Sequence, residues 1–483
     1  MTRLPVLAVL AVALAACAPA PSGPAKTIAL SECRLPGIET TVLCGRHEVF
    51  EDRAAKSGRK IALRIAVLPA RRRAGDPDPV VVLAGGPGQG AVALAPHVRR
   101  LFDRLANTRD IVLVDQRGTG ESGALKCDDG RAAGAEALFE GGVPETLVRD
   151  CLSKLDADPR HYATPSATAD LDEVLTGLGY RQVNLWGGSY GTRAALDFIR
   201  RHPARVRSAV LDGVAPPDMK LPLSFVQDGE AALSRLFDAC EAQAPCREAY
   251  PALRETVSGL RASLARKPVA ATLRDPVTGE AFDVRVTENV LLTGLFRPLY
   301  SPVLASLVPH AISRAKSGDF GPLLAPNFEM VQDVGGNLAV GMHLSVLCAE
   351  DIPRVGADDL ARAARGFFGR VLVDDFLKAC ALWPRASLPA DYAEPVKADV
   401  PVLVLSGGID PATPPRHGEA ILAGLPRARH LVAPQLAHGV SAQGCAPRLI
   451  ERFVKAASAD GLDGQCLERL PRPLFVLPAG AKP

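Results

Sequence analysis

Chemistry is concentrated in one short run, Gly187-Gly188-Ser189-Tyr190-Gly191, lying between the apolar "QVNLW" and the amphipathic "TRAALDFIRRH". A serine flanked at two residues' distance by glycines suits a sharp strand-to-helix turn, where side chains at 187 and 191 would collide. The helix start behind it aims free N–H groups and a positive dipole end at any negative charge that develops. That context makes Ser189 a candidate nucleophile for acyl transfer. A serine hydroxyl attacks only when a base takes its proton, and the base needs an acid to orient it. Asp410 follows the late apolar run "VPVLVLSG", and His438 follows the final run "ARHLVAP". In the order nucleophile, acid, base, one strand-helix-strand unit separates the last two. Of the nine histidines, His417 lies too near Asp410 in sequence, His430 falls inside a predicted strand, and His202, His310 and His343 precede the acid. Asp351 and Asp375 are the fallback acids.

An oxyanion requires two preorganised donors. The N–H of Tyr190 supplies one. The segment "GGPGQG" after "VVVLA" offers the other. Pro87 has no N–H, which leaves Gly85 or Gly86, and Gly86 is preferred. The runs that must carry these loops are "KIALRIAVLPA", "PVVVLAG", "DIVLVD", "QVNLWG" and "RSAVLDG", joined late by "VPVLVLSG" and "ARHLVAP". Continuous Val/Ile/Leu runs bounded by Gly, Pro and Asp indicate strands buried on both faces of a mostly parallel sheet with helices on either side. Between Pro216 and about Ala398 the strand rhythm lapses into mostly helical patterns, expected to form a mainly helical cap over the sheet's carboxyl edge.

Five motifs occur together: "GGPG" at 85–88, "DQRGTGES" at 115–122, "GGSYGT" at 187–192, "DPATP" at 410–414 and "AHG" at 437–439. With them the chain, from about Cys33 to Cys466, resembles the prolyl iminopeptidase and tripeptidyl aminopeptidase family, serine peptidases of the α/β-hydrolase fold, including its TAP-like C-terminal region. The resemblance implies hydrolysis at a peptide's free N-terminus through Ser189, Asp410 and His438, with neither metal nor organic cofactor. Ala84 stands where prolyl iminopeptidases carry the histidine of "HGGPG", which points away from a strict proline-only enzyme. An exopeptidase must hold the substrate's ammonium, and Glu350 and Asp351 in "SVLCAEDIP" are the candidates. Arg117 is expected to be a structural ion-pair partner. The same triad serves carboxylesterases and lipases, and a non-catalytic binding protein on a hydrolase fold is the reading from another class.

The formal net charge is only +3, and the Arg71–Arg73 cluster has no interleaved aromatics, so nucleic acid is not an expected partner. Arg3 followed by the apolar run Leu4 to Ala16 and "LAAC" resembles an export signal ending in a lipobox. Cys17 would then carry a diacylglyceryl group and anchor the protein to a membrane of a bacterial cell envelope. The expected organisation is signal 1–16, lipidated tether 17–30, hydrolase core 31–215, cap 216–398 and returning core 399–475. Of eleven cysteines, setting Cys17 aside leaves ten. They are expected to pair with their neighbours as Cys33–Cys44, Cys127–Cys151, Cys240–Cys246, Cys348–Cys380 and Cys445–Cys466, because each pair brackets one compact segment.

Overall fold

The computed structural model describes residues 26–72, 76–127, 143–274, 279–326 and 338–480. The expected signal segment, Cys17 and Arg73 lie outside the described residues. A nine-stranded sheet runs in the order β1-β2-β3-β5-β4-β6-β7-β10-β11. Its strands are β1 (Ser31–Cys33), β2 (Val42–Phe50), β3 (Lys60–Leu68), β4 (Val80–Leu83), β5 (Ile111–Val114), β6 (Val183–Gly188), β7 (Val206–Asp212), β10 (Val402–Gly407) and β11 (Ala428–Ala433). From β5 to β11 every neighbour is parallel. β1, β2 and β3 join antiparallel at the other edge.

Burial explains the apolar runs. In β4, Val81 and Leu83 pack into one core while Val80 and Val82 pack into the core on the opposite face. Each strand residue therefore meets a helix layer whichever way it points, and no polar face is needed. All seven apolar runs are strands. β3 differs from expectation in direction, pairing antiparallel with both neighbours. Its continuous apolarity reflects two-sided burial, which is not unique to parallel pairing.

The stretch between β7 and β10 has its own hydrophobic core, built largely from helices Ser224–Ala242, Leu253–Arg266, Glu288–Phe296 and Val308–Lys316. It also contains two strands. β8 (Val269–Arg274) and β9 (Ala281–Val286) form an antiparallel hairpin. Its strands alternate, with Leu273, Val284 and Val286 buried among exposed neighbours. That is the two-residue period of a half-buried strand. The C-terminal stretch folds back onto the same core: Phe475 is buried there, and the Val476 carbonyl accepts the Tyr250 hydroxyl at 2.7 Å.

Five disulfides join Cys33–Cys44, Cys127–Cys151, Cys240–Cys246, Cys348–Cys380 and Cys445–Cys466. Such a set belongs to an oxidising, extracytoplasmic setting. No described helix is long and apolar enough to cross a membrane.

Candidate active site

Ser189 sits at the turn between β6 and the helix Tyr190–Arg201 with φ 54° and ψ −125°. This conformation is costly for a residue with a Cβ. It is enforced by close approach on both sides. A methyl on Gly187 would lie 2.4 Å from the Gly191 carbonyl oxygen, and one on Gly191 would lie 2.1 Å from that of Leu83. Only glycines allow strand, turn and helix to pack this tightly. The "GGPG" loop lies against the turn, since a methyl on Gly85 would come within 3.4 Å of the Ser189 Cβ. Among the described residues, neither the Gly86 nor the Tyr190 N–H has an acceptor.

Asp410 and His438 meet. The imidazole Nδ1 and the carboxylate Oδ2 are 2.8 Å apart. Asp410 is fully buried, and its other oxygen accepts the N–H groups of Ala412 at 2.8 Å and Thr413 at 2.9 Å. Proline, alanine and threonine after the aspartate thus build a turn that closes on the carboxylate itself. Thr413 donates its hydroxyl to Oδ2 at 2.8 Å and lies 3.1 Å from His438 Nδ1. Burial alone would raise the Asp410 carboxyl, but the His438 charge and hydrogen bond, with the turn N–H groups, outweigh it and hold it below the usual range. Burial lowers His438, whereas the charge and hydrogen bond of Asp410 and the charge of Asp212 prevail, leaving the imidazole more basic than usual. From the insertion, the Tyr300 ring stands edge-on to the imidazole at 5.1 Å and its carbonyl accepts the His438 N–H at 3.2 Å.

Ser189 and His438 share one sheet edge. The Ser189 N–H donates to the Asp212 carbonyl at 2.9 Å, and the Asp212 carboxylate holds the chain just beyond His438. The Ser189 hydroxyl makes no hydrogen bond to a described residue. Free enzymes often leave this contact loose until substrate is bound.

Glu350 and Asp351, the expected holders of a substrate amine, are met by the protein's own groups. Both side chains are fully buried and already engaged. Glu350 accepts the Thr164 N–H at 2.7 Å and hydroxyl at 3.0 Å, and also the Tyr392 hydroxyl. Thr164 in turn bonds the Tyr190 hydroxyl at 2.7 Å. Asp351 takes both arms of Arg193, at 2.9 and 3.0 Å, together with the Leu221 N–H. Burial lowers the Arg193 guanidinium, but the charge and hydrogen bond of Asp351 more than restore it, so the guanidinium stays charged. Tyr190 and Arg193 both belong to the helix behind the nucleophile, so the two carboxylates brace that helix against the insertion.

Arg117 is likewise internal, with a bidentate pair to Asp170 at 2.7 and 2.8 Å. Asp375, a fallback acid, is a surface partner of Lys378 at 3.3 Å. His417 and His430 are committed to Asp228 and Ser406, each at 2.9 Å. Among the described residues no cluster could hold a metal ion.

Strand order and site together define an α/β hydrolase: a parallel sheet whose carboxyl edge carries a serine on a strand-to-helix turn and, two loops later, an aspartate paired to a histidine. Residues 78–238 match the alpha/beta hydrolase fold model and residues 365–466 the TAP-like protein model. The chain belongs to the α/β hydrolases with a TAP-like C-terminal region. It is 26% identical over 426 residues to the serine protease Hip1 of Mycobacterium tuberculosis, covering 80% of this chain and 79% of that one. It is 24% identical over 470 residues to a tripeptidyl aminopeptidase of Streptomyces lividans, covering 89% and 85%. A solved proline iminopeptidase from Mycobacterium smegmatis aligns with TM-score 0.40 and 15% identity over 85% of this chain and 98% of that one. The chain is a serine hydrolase similar to serine peptidases.

Proposed function

We propose that this enzyme is a serine exopeptidase that releases residues or short peptides, tripeptides among them, from the free N-terminus of peptides. Ser189 attacks the scissile carbonyl after a rotation of its side chain toward His438. His438 takes the proton and returns it to the leaving amine, and Asp410 holds the imidazole with Nδ1–H toward itself. The N–H groups of Gly86 and Tyr190 receive the oxyanion. The observation that carries the catalytic part is the 2.8 Å His438–Asp410 pair on the same sheet edge as the Ser189 turn. The choice of peptide substrate is supported by the peptidase relatives. In this reading residues 216–398 act as a cap over the sheet edge, 31–215 and 399–475 forming the hydrolase core.

The engagement of Glu350 and Asp351 favours attention to a second reading, a carboxylesterase using the same triad, because a free-amine requirement then needs another acceptor. A panel of mono-, di- and tripeptidyl chromogenic amides, each with free and acetylated amines, separates the two. An exopeptidase should lose kcat/KM by about 10²-fold or more on acetylation, as expected when a charge-assisted contact is removed. Equal rates on blocked amides, or a preference for simple esters, would sink the exopeptidase reading.

The proposal also includes a diacylglyceryl group on Cys17, which would tether the enzyme to a membrane of the cell envelope. Metabolic labelling with radioactive palmitate should mark the wild-type protein and not Cys17→Ser. Equal labelling of both would remove the anchor.

A further inference from the structure

β7 lies between β6, which delivers Ser189, and β10, which delivers Asp410. Its last residue, Asp212, is 4% exposed and works with both backbone and side chain. The carbonyl accepts the Ser189 N–H at 2.9 Å. The carboxylate accepts the N–H groups of Val440 at 2.9 Å and Ser441 at 2.7 Å, two and three residues beyond the histidine. The next residue, Gly213, has φ 68° and donates its N–H to the Leu405 carbonyl of β10 at 2.9 Å. A methyl there would stand 2.8 Å from the Thr413 hydroxyl and 3.3 Å from the His438 ring. Asp212-Gly213 thus touches the nucleophile turn, the acid loop and the histidine loop at once.

A buried carboxylate is costly unless charge-assisted hydrogen bonds offset its lost hydration. Burial pushes the Asp212 carboxyl up, and the N–H groups of Val440 and Ser441 with the charge of His438 only partly oppose it. The charged and titratable groups facing the imidazole are Asp410 from the β10 loop, Asp212 from β7 and Tyr300 from the insertion. Asp212 itself faces His438 and, at longer range, His97 on the helix Ala95–Leu101.

We infer that Asp212 is a positioning residue for His438: its carboxylate fastens the histidine loop to the nucleophile turn and sets the imidazole's reach to Ser189. The inference rests on the triad reading above. Asn is nearly isosteric but offers one acceptor to two N–H groups and carries no charge. Asp212→Asn should lower kcat about 10- to 100-fold with little change in KM, as expected for a misplaced reacting group. The acid limb of kcat/KM should move to lower pH, because one of two carboxylates favouring the imidazolium is gone. A merely structural role would lower the melting temperature without moving that limb. The His438 titration is also followed by NMR in the catalytically silent Ser189→Ala background, with and without Asp212→Asn. A lower imidazole pKa in the double variant supports the inference. An unchanged titration, with unchanged kcat in the enzyme that retains Ser189, overturns it.

Should the variant not fold, amide hydrogen exchange on the unmodified enzyme decides. Val440 and Ser441 amides protected like those of the neighbouring strands support the clamp, and exchange at free-loop rates overturns it. Turnover that survives Ser189→Ala would sink the triad reading instead, while titration and exchange still judge Asp212.

Discussion

Ser189→Ala should yield a folded enzyme whose kcat is lower by about 10⁶-fold, the loss seen when an acyl-transfer serine is removed from an otherwise intact site. The fold should tolerate the change for two reasons. The φ of 54° is imposed by the glycine-lined turn, and alanine bears it as serine does. The hydroxyl makes no hydrogen bond to a described residue, so its loss leaves no described partner unsatisfied. The turn's own contacts survive, including the Ser189 N–H to Asp212 and the Thr192 hydroxyl to the Ser189 carbonyl at 2.6 Å. The check is kcat on the best peptide amide, beside a thermal melt and labelling with a fluorophosphonate probe. Labelling of wild type, none of the variant, and superimposable melts are the expected set. Turnover near the wild-type level would mean that another group attacks the carbonyl.

The parts of the fold legible in the sequence were those where burial on two faces leaves an apolar run. β4, β5, β6, β7 and β10 are of that kind, and each is bounded by a turn-forming residue. β2, "VLCGRHEVF", sets three consecutive polar residues, Arg46, His47 and Glu48, between apolar ends at the outer part of the sheet, and β1 is only three residues long. Both therefore carry little periodic signal. The β8–β9 hairpin, "VAATLR" and "AFDVRV", is short and lies inside a stretch whose pattern is otherwise helical, which masks its alternation.

Asp410 and His438 could be picked out because each follows a strand end in chain order. The engagement of Glu350 was not legible, since its partners Thr164 and Tyr392 and the Arg193 beside Asp351 are remote in sequence. Two acids ending an apolar helix read as surface or ligand groups until a buried cation is placed beside them. Asp212 was visible only as the end of a strand. Its significance depends on β7 lying between β6 and β10, which is a property of strand order. Thr413 lay inside a quoted motif, yet its hydroxyl matters only once the turn closes on Asp410.

Asp410→Asn should lower kcat by about 10⁴-fold while leaving the turn in place. The Asn oxygen can still accept the N–H groups of Ala412 and Thr413, which now bond Oδ1 at 2.8 and 2.9 Å. The amide nitrogen then falls where Oδ2 meets His438 Nδ1, and it donates where the carboxylate accepted. The imidazole must answer with a bare Nδ1 and a protonated Nε2, the tautomer that cannot take a proton from serine. The pH profile supplies a second, independent sign. Catalysis needs neutral His438, and the folded site raises the imidazole above its ordinary value of about 6.5 despite burial, chiefly through Asp410. Wild-type kcat/KM should therefore decline from above that value as pH falls. Without the carboxylate charge, burial prevails and the acid limb of the residual activity should shift to lower pH. Steady-state profiles of both proteins between about pH 5 and 9 test this, a range that spans the imidazole titration. A variant with reduced kcat but an unmoved acid limb would mean that a group other than His438 governs the protonation step.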